Sequence, residues 1–315
     1  MAAHEFELID ERFGACIRTT ERVVQLFDGC RWAEGPVYVP ASRQLIWSDV
    51  PADRLLRWDE TTGVVGVLRQ PSNFANGNAL DALGRLISCR QGTRDVVRTE
   101  VDGSITVLVD RFQGRRLNSP NDVVVHPDGS VWFTDPTYGI DSDYEGHRAP
   151  SELGGCYLFQ FDPSSGACRL AADGFVQPNG LAFSPDYRRL YVADTGASHQ
   201  PDGPRHILVF DTRPDGTLSE GAVHAVCTDG MFDGFRCDED GRIWTSAADG
   251  VHCLLHDGTL IGKVLVPERV ANVAFGGPRH SRLFICATSG LYAVHLAVRG
   301  APVPPASPNS EGPNT

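Results

Sequence analysis

Gln177-Pro-Asn-Gly-Leu-Ala-Phe-Ser-Pro-Asp-Tyr-Arg-Arg-Leu-Tyr-Val-Ala-Asp, residues 177–194, holds a leading asparagine, a short apolar run, a turn signal and a second apolar run. The same phrase recurs along the chain. Its openings are Glu34-Gly-Pro-Val-Tyr, Asn76-Gly-Asn-Ala-Leu, Asn121-Asp-Val-Val-Val, Asn179-Gly-Leu-Ala-Phe, Asp233-Gly-Phe-Arg-Cys and Ala271-Asn-Val-Ala-Phe. Each is followed by a second run, from Leu45-Ile-Trp-Ser-Asp to Leu283-Phe-Ile-Cys. The leading residues stand 42, 45, 58, 54 and 38 positions apart. A period of about 40–50 residues built from short strands is the mark of a β-propeller.

Within one period the strands read Leu181-Ala-Phe, Leu190-Tyr-Val-Ala, Ile207-Leu-Val-Phe and Ala222-Val-His-Ala-Val, from the axis outward. Pro127-Asp-Gly, Pro185-Asp-Tyr and Glu239-Asp-Gly mark the turns between first and second strands. The expected fold is therefore all-β: a six-bladed β-propeller of four-stranded antiparallel blades around a central channel. Closing such a ring removes exposed sheet edges. Glu21-Arg-Val-Val-Gln-Leu-Phe is the candidate N-terminal strand, joining the sheet of Val270-Ala-Asn-Val-Ala-Phe and Leu291-Tyr-Ala-Val. Residues 1–18 read as an N-terminal arm, 19–299 as the single propeller, and 300–315, rich in Pro, Ser and Asn, as a mobile tail.

Bulk properties narrow the function classes. An apolar share of 41% supplies a core, and no apolar run is long enough to span a membrane. The net charge of −12 disfavours nucleic acid as a partner, since phosphates demand a basic face. The first ten residues lack the basic and apolar blocks of a signal peptide. Nine cysteines without metal-finger spacing read as reduced, buried and cytoplasmic. The expected state is a monomer or small homo-oligomer. Gly-x-Ser-x-Gly, Gly-rich phosphate loops and His-Glu-x-x-His are all absent.

Equivalent positions of successive blades are related by rotation about the axis, so the leading residues must converge at one end of the channel. Glu34, Asn76, Asn121, Asn179 and Asp233 all carry a side-chain oxygen. Two buried carboxylates together are costly unless a cation balances them. Carboxylate and amide oxygens suit calcium, magnesium or manganese better than copper, and lack the His and Cys of most zinc sites. Asn-Gly and Asp-Gly are also ordinary turn formers. Their recurrence at equivalent positions favours a metal-centred site.

Ala33-Glu-Gly-Pro-Val-Tyr, Leu117-Asn-Ser-Pro-Asn-Asp-Val-Val-Val, Phe133-Thr-Asp-Pro-Thr-Tyr-Gly-Ile, Gln177-Pro-Asn-Gly-Leu-Ala-Phe and Phe232-Asp-Gly-Phe resemble the gluconolactonase, senescence-marker-protein (regucalcin) and luciferin-regenerating-enzyme-like family of six-bladed propellers. The bacterial sugar-lactonase branch is nearest, and the resemblance runs from about residue 30 to 295. It implies metal ligands at Glu34, Asn121, Asn179 and Asp233. It also implies one divalent cation, calcium first, with zinc, manganese or magnesium accepted by several members. The implied activity is hydrolysis of a small sugar lactone. Asn76 then contacts substrate or metal-bound water.

The rim loops carry Arg90, Arg94, Tyr138, His147, Arg148 and His199, an inventory suited to a polyol lactone. Arg94 is expected to hold the substrate or the product carboxylate, with Tyr138 and His199 beside it. Residues 136–154 form the longest insertion and are placed to act as a lid. Asp49, Asp135 and Asp194 recur at the ends of second strands and read as turn caps. In the expected mechanism Asp233 is the catalytic base and Glu34 anchors the ion. Two rival readings keep the fold: an aryl-lactone or phosphotriester hydrolase on the same metal, and a non-catalytic calcium-binding propeller.

Overall fold

The apolar runs are buried on both faces, because each blade is packed between two others. Val131 and Phe133 point into the interface between blades 2 and 3, and Trp132 between them points into that of blades 3 and 4. Leu190 and Val192 alternate in the same way with Tyr191 and Ala193. This is the period of two of a β-strand with no solvent face. Among the described residues six apolar clusters form, one for each pair of neighbouring blades. Each fully buried large side chain, such as Trp47, Trp244 or Phe133, contributes about 1.5–3 kcal/mol by leaving water.

The computed structural model describes residues 5–302. It is a six-bladed propeller of antiparallel sheets, as the repeats predict. Blade 1 runs through Ala33–Val39, Gln44–Asp49, Arg54–Asp59 and Val65–Arg69. Blade 2 comprises Ala75–Leu80, Leu86–Arg90, Asp95–Thr99 and Ile105–Val109. Blade 3 comprises Val123–Val125, Val131–Asp135, Cys156–Asp162 and Ala167–Phe175. Blade 4 comprises Pro178–Phe183, Arg189–Asp194, His206–Asp211 and Ala222–Val226. Blade 5 is built from Phe235–Cys237, Ile243–Ala247, Gly250–Leu254 and Leu260–Leu265, and blade 6 from Val270–Gly276, Arg282–Ala287 and Gly290–His295.

The ring closes as expected. Val24–Asp28 supplies the outer strand of blade 6, antiparallel to Gly290–His295 with Val24 opposite Ala293. Part of the segment read as an arm is also sheet: Phe6–Leu8 pairs with Leu260–Leu265 and covers the outer edge of blade 5. Phe13 then buries its ring against Trp244. It fits because residue 262 is glycine, where a Cβ would lie 2.2 Å from the Phe13 ring. At the other terminus Ala301 N–H donates to the Cys237 carbonyl at 3.0 Å. Residues 303–315 of the expected tail lie outside the described residues. All nine cysteines are free and eight are buried. Among the described residues no helix is long and apolar enough to cross a membrane.

Candidate active site

The inner strands carry the candidate ligands at breaks in their ladders. Register shifts fall between Glu34 and Val37, Ala75 and Asn78, Pro178 and Leu181, and Val270 and Asn272. In blades 3 and 5 the ladder starts only after Asn121 and Asp233. A local break turns a side chain out of the pleat, here toward the axis. The glycine after the leading residue has its own cause. A Cβ at Gly77 would sit 2.5 Å from the Asp122 backbone, and one at Gly180 would sit 2.1 Å from the Asp233 carbonyl oxygen. These glycines let neighbouring inner strands meet at the axis. Gly77 N–H donates to the Asn121 carbonyl and Gly234 N–H to that of Ala271, both at 2.7 Å.

The aspartates ending the second strands anchor the arriving chain. Asp49 accepts from Arg31 N–H at 2.9 Å, Asp135 from Asn118 N–H at 2.8 Å, and Asp194 from Gln177 N–H at 2.8 Å. They are caps, as expected.

Glu34, Asn76, Asn121, Asn179 and Asp233 line one cavity at the mouth of the channel, with Trp32, Tyr138, Glu145, Thr195, Ser198, Met231 and Arg269 around them. Convergence of the leading residues is thus met. Glu34 is buried, and its Oε2 accepts from Gly35 N–H at 2.8 Å and from Asn272 Nδ2 at 3.0 Å. Burial pushes its carboxyl up to about 7, against the pull of those two donors. Asp233 is pushed well above the carboxylate range, first by burial and then by the charges of Glu34, Asp122 and Glu145, with Arg269 pulling the other way. Its backbone N–H is fixed by Ser246 Oγ at 2.8 Å.

Asn179 Nδ2 is committed to Thr195 Oγ1 at 3.2 Å, which turns its amide oxygen away from that bond. Among the described residues the side-chain amides of Asn76 and Asn121 make no hydrogen bond. The set therefore offers two carboxylates crowded in low dielectric and several free amide oxygens. That fits a hard divalent cation, which removes the repulsion and accepts oxygen donors. Glu34, Asn121, Asn179 and Asp233 could hold it.

Below this cavity the channel is crossed by Asp122, whose carboxylate faces Arg236 at 3.5 Å, and by Asn78, which donates to the Gly35 and Asn76 carbonyls at 2.9 Å. The far end is apolar, lined by Val37, Leu80, Val125, Phe183 and Phe275.

Two expected substrate contacts need correction. Arg94 does not reach the cavity. It is buried with a left-handed backbone, and its Nε donates to the Leu117 carbonyl at 2.7 Å. His199 lies one step behind the wall, bridging Ser198 Oγ and Asp141 Oδ2 at 2.8 Å each. Tyr138 is in the wall, its hydroxyl 2.7 Å from Thr195 Oγ1 and 2.8 Å from Ser198 Oγ. His147 stacks edge-on against Phe74, outside the cavity.

Four contributors escaped the sequence reading: Glu145, Arg269, Ser198 and Asn272. Only Asn272 had a visible signal, lying one position beyond the leading Ala271.

Residues 32–289 match the family described as the SMP-30/Gluconolactonase/LRE-like region, and the chain belongs to that family. It is 31% identical to a pentonolactonase of Haloferax volcanii over 86% of each chain. It is 28% identical to a gluconolactonase of Zymomonas mobilis over 92% of this chain and 85% of the other. A solved structure described as a gluconolactonase from Xanthomonas campestris superposes with a TM-score of 0.87. It is 37% identical and covers 93% of this chain and 94% of its own.

Proposed function

We propose that this member of the SMP-30/gluconolactonase family hydrolyses a small sugar lactone to the sugar acid. The observation that carries the reading is the meeting of Glu34 and Asp233, two carboxylates without a paired base, with the free amide oxygens of Asn121 and Asn179 at one mouth of the channel. Its relatives named as lactonases supply the reaction class. We assign a divalent cation, calcium first, to those four side chains because all their donors are oxygen. When bound, the cation supplies Lewis-acid polarisation of the lactone carbonyl.

The chain's own residues divide the remaining work. A carboxylate oxygen of Asp233 takes the proton of the attacking water. As the water oxygen bonds the carbonyl carbon and the ring C–O bond breaks, that proton passes to the ring oxygen. Glu34, held by Asn272 and Gly35, balances charge and stays fixed. Asn76 presents its amide to the carbonyl region. Tyr138, Thr195 and Ser198 offer hydroxyls to a polyol. Arg269, with no ion-pair partner among the described residues, is free to meet the product carboxylate. Every one of these groups comes from one chain. The polar wall favours a sugar lactone over an aryl lactone or phosphotriester, and the free cysteines support a reducing, cytoplasmic setting.

The test is base uptake with D-glucono-1,5-lactone and other aldonolactones on protein stripped with EDTA and refilled with calcium, zinc, manganese or magnesium. Turnover that disappears on stripping and returns with one ion supports the reading. No acceleration over spontaneous hydrolysis with any ion, together with tight calcium binding, would leave a binding propeller.

A further inference from the structure

Glu145 lies in the loop between the short helix Tyr138–Asp141 and strand Cys156–Asp162, far in sequence from every leading residue. The fold nevertheless delivers it to the cavity that holds Glu34 and Asp233. Its carboxylate makes no hydrogen bond and no ion pair among the described residues.

The loop that carries it is tied down. His147 N–H donates to the Gly139 carbonyl at 2.9 Å, and Ala149 N–H to that of Ile140 at 3.0 Å. Arg148 N–H is held by Asp143 Oδ1 at 2.9 Å. Gly146 packs so closely that a Cβ there would fall 2.2 Å from the Gly139 carbonyl oxygen. The helix is itself fixed, since Gly139 N–H donates to Ser119 Oγ at 3.0 Å and the Tyr138 hydroxyl is held by blade 4. An acid without a partner on a rigid support is preorganised for a ligand. Burial without a compensating group raises its carboxyl to about 7, which measures the cost of leaving it unmatched.

Charge counting narrows what that ligand is. A divalent cation is already matched by Glu34 and Asp233. The third acid needs donors from elsewhere, and an ionised carboxylate can only accept hydrogen bonds. A lactone ring offers none, whereas the hydroxyls around a sugar lactone do. We propose that Glu145 accepts hydrogen bonds from the hydroxyl groups of the substrate and selects polyhydroxylated lactones over bare ones. This assignment rests on the lactonase reading.

D-Glucono-1,5-lactone and δ-valerolactone share ring size and carbonyl and differ in hydroxyls, so they separate recognition from chemistry. In Glu145→Ala the KM for gluconolactone should rise about 10- to 100-fold, the range for one lost charged hydrogen bond, with kcat/KM for valerolactone changed less than about threefold. Glu145→Gln keeps one acceptor oxygen and should recover part of the KM. Calcium affinity, read by calorimetry, should stay within about twofold in both variants, because a lost ligand would cost more.

Equal losses on the two lactones, or no loss on either, would overturn the assignment. A tenfold or greater fall in calcium affinity would overturn it too, by making Glu145 a ligand of the ion. If the unaltered protein hydrolyses neither lactone, the lactonase reading fails by itself. Calorimetry with D-gluconate and 5-hydroxypentanoate then decides: a preference for gluconate that Glu145→Ala abolishes upholds the assignment, and no preference overturns it.

Discussion

Asn272 Nδ2 donates a 3.0 Å hydrogen bond to Glu34 Oε2, joining the last blade to the first across 238 residues of chain. Its own Oδ1 accepts from Val273 N–H at 2.8 Å, which fixes the amide's orientation. Asn272 occupies the place in blade 6 that the ligands occupy elsewhere, and uses it to aim a ligand. Removing such an oriented donor typically weakens metal affinity about 10- to 100-fold. Asn272→Ala should show that loss in calorimetric titration with calcium. An unchanged affinity would deny the asparagine this role.

Asp233 carries two consequences of opposite sign. Asp233→Asn should lower turnover by about 10²- to 10⁴-fold, the usual contribution of a general base. The same change removes the negative neighbour of buried Glu34, so the EDTA-treated protein should melt at a higher temperature than the unaltered one. Near-normal activity would take Asp233 out of the mechanism. A lower melting temperature would show that its charge is not the destabilising feature.

The metal-free protein should lose stability as pH rises from about 4.5 toward 7. Glu34 is raised from 4.5 to about 7 and Asp135 from 3.8 to about 7, each first by burial. The folded state then binds these protons more tightly than the unfolded chain does. Their contribution is complete below the unfolded values and is lost as pH passes the folded ones. A melting series in EDTA reads the fall. Calcium should abolish the share due to Glu34, because the ion takes the place of the proton, and should leave that due to Asp135. A curve that rises between pH 5 and 7 in EDTA would contradict the assignment.

Arg94 and Arg269 should exchange the roles that residue type alone suggests. Arg94→Ala strands the buried Leu117 carbonyl and should cost about 1–3 kcal/mol of stability with KM little changed. Arg269→Gln should leave the melting temperature within about 0.5 kcal/mol of the original and weaken product inhibition by the sugar acid. Heat denaturation and initial rates with added gluconate measure both. Loss of substrate affinity in Arg94→Ala at full stability would restore the first expectation.

The repeat was legible because its causes are local. Alternating runs such as Val131-Trp-Phe demand a strand buried on both faces, and Asn179-Gly or Asp233-Gly marks where inner strands crowd the axis. Rotation about that axis then requires Glu34, Asn121, Asn179 and Asp233 to meet, so the candidate ligands could be named from spacing and residue type. The rim follows no such rule. Arg94 and Arg269 are equally good carboxylate receivers on paper, and only the packing of one loop on the next turns the first inward and leaves the second free. Glu145 reaches the cavity through a loop held by contacts to residues 119 and 139, which no periodicity announces. Periodic side-chain burial by itself determined the blades and the centre of the site. Irregular loops, whose course depends on which long-range hydrogen bonds win, decided what surrounds that centre, and that belonged to the tertiary structure alone.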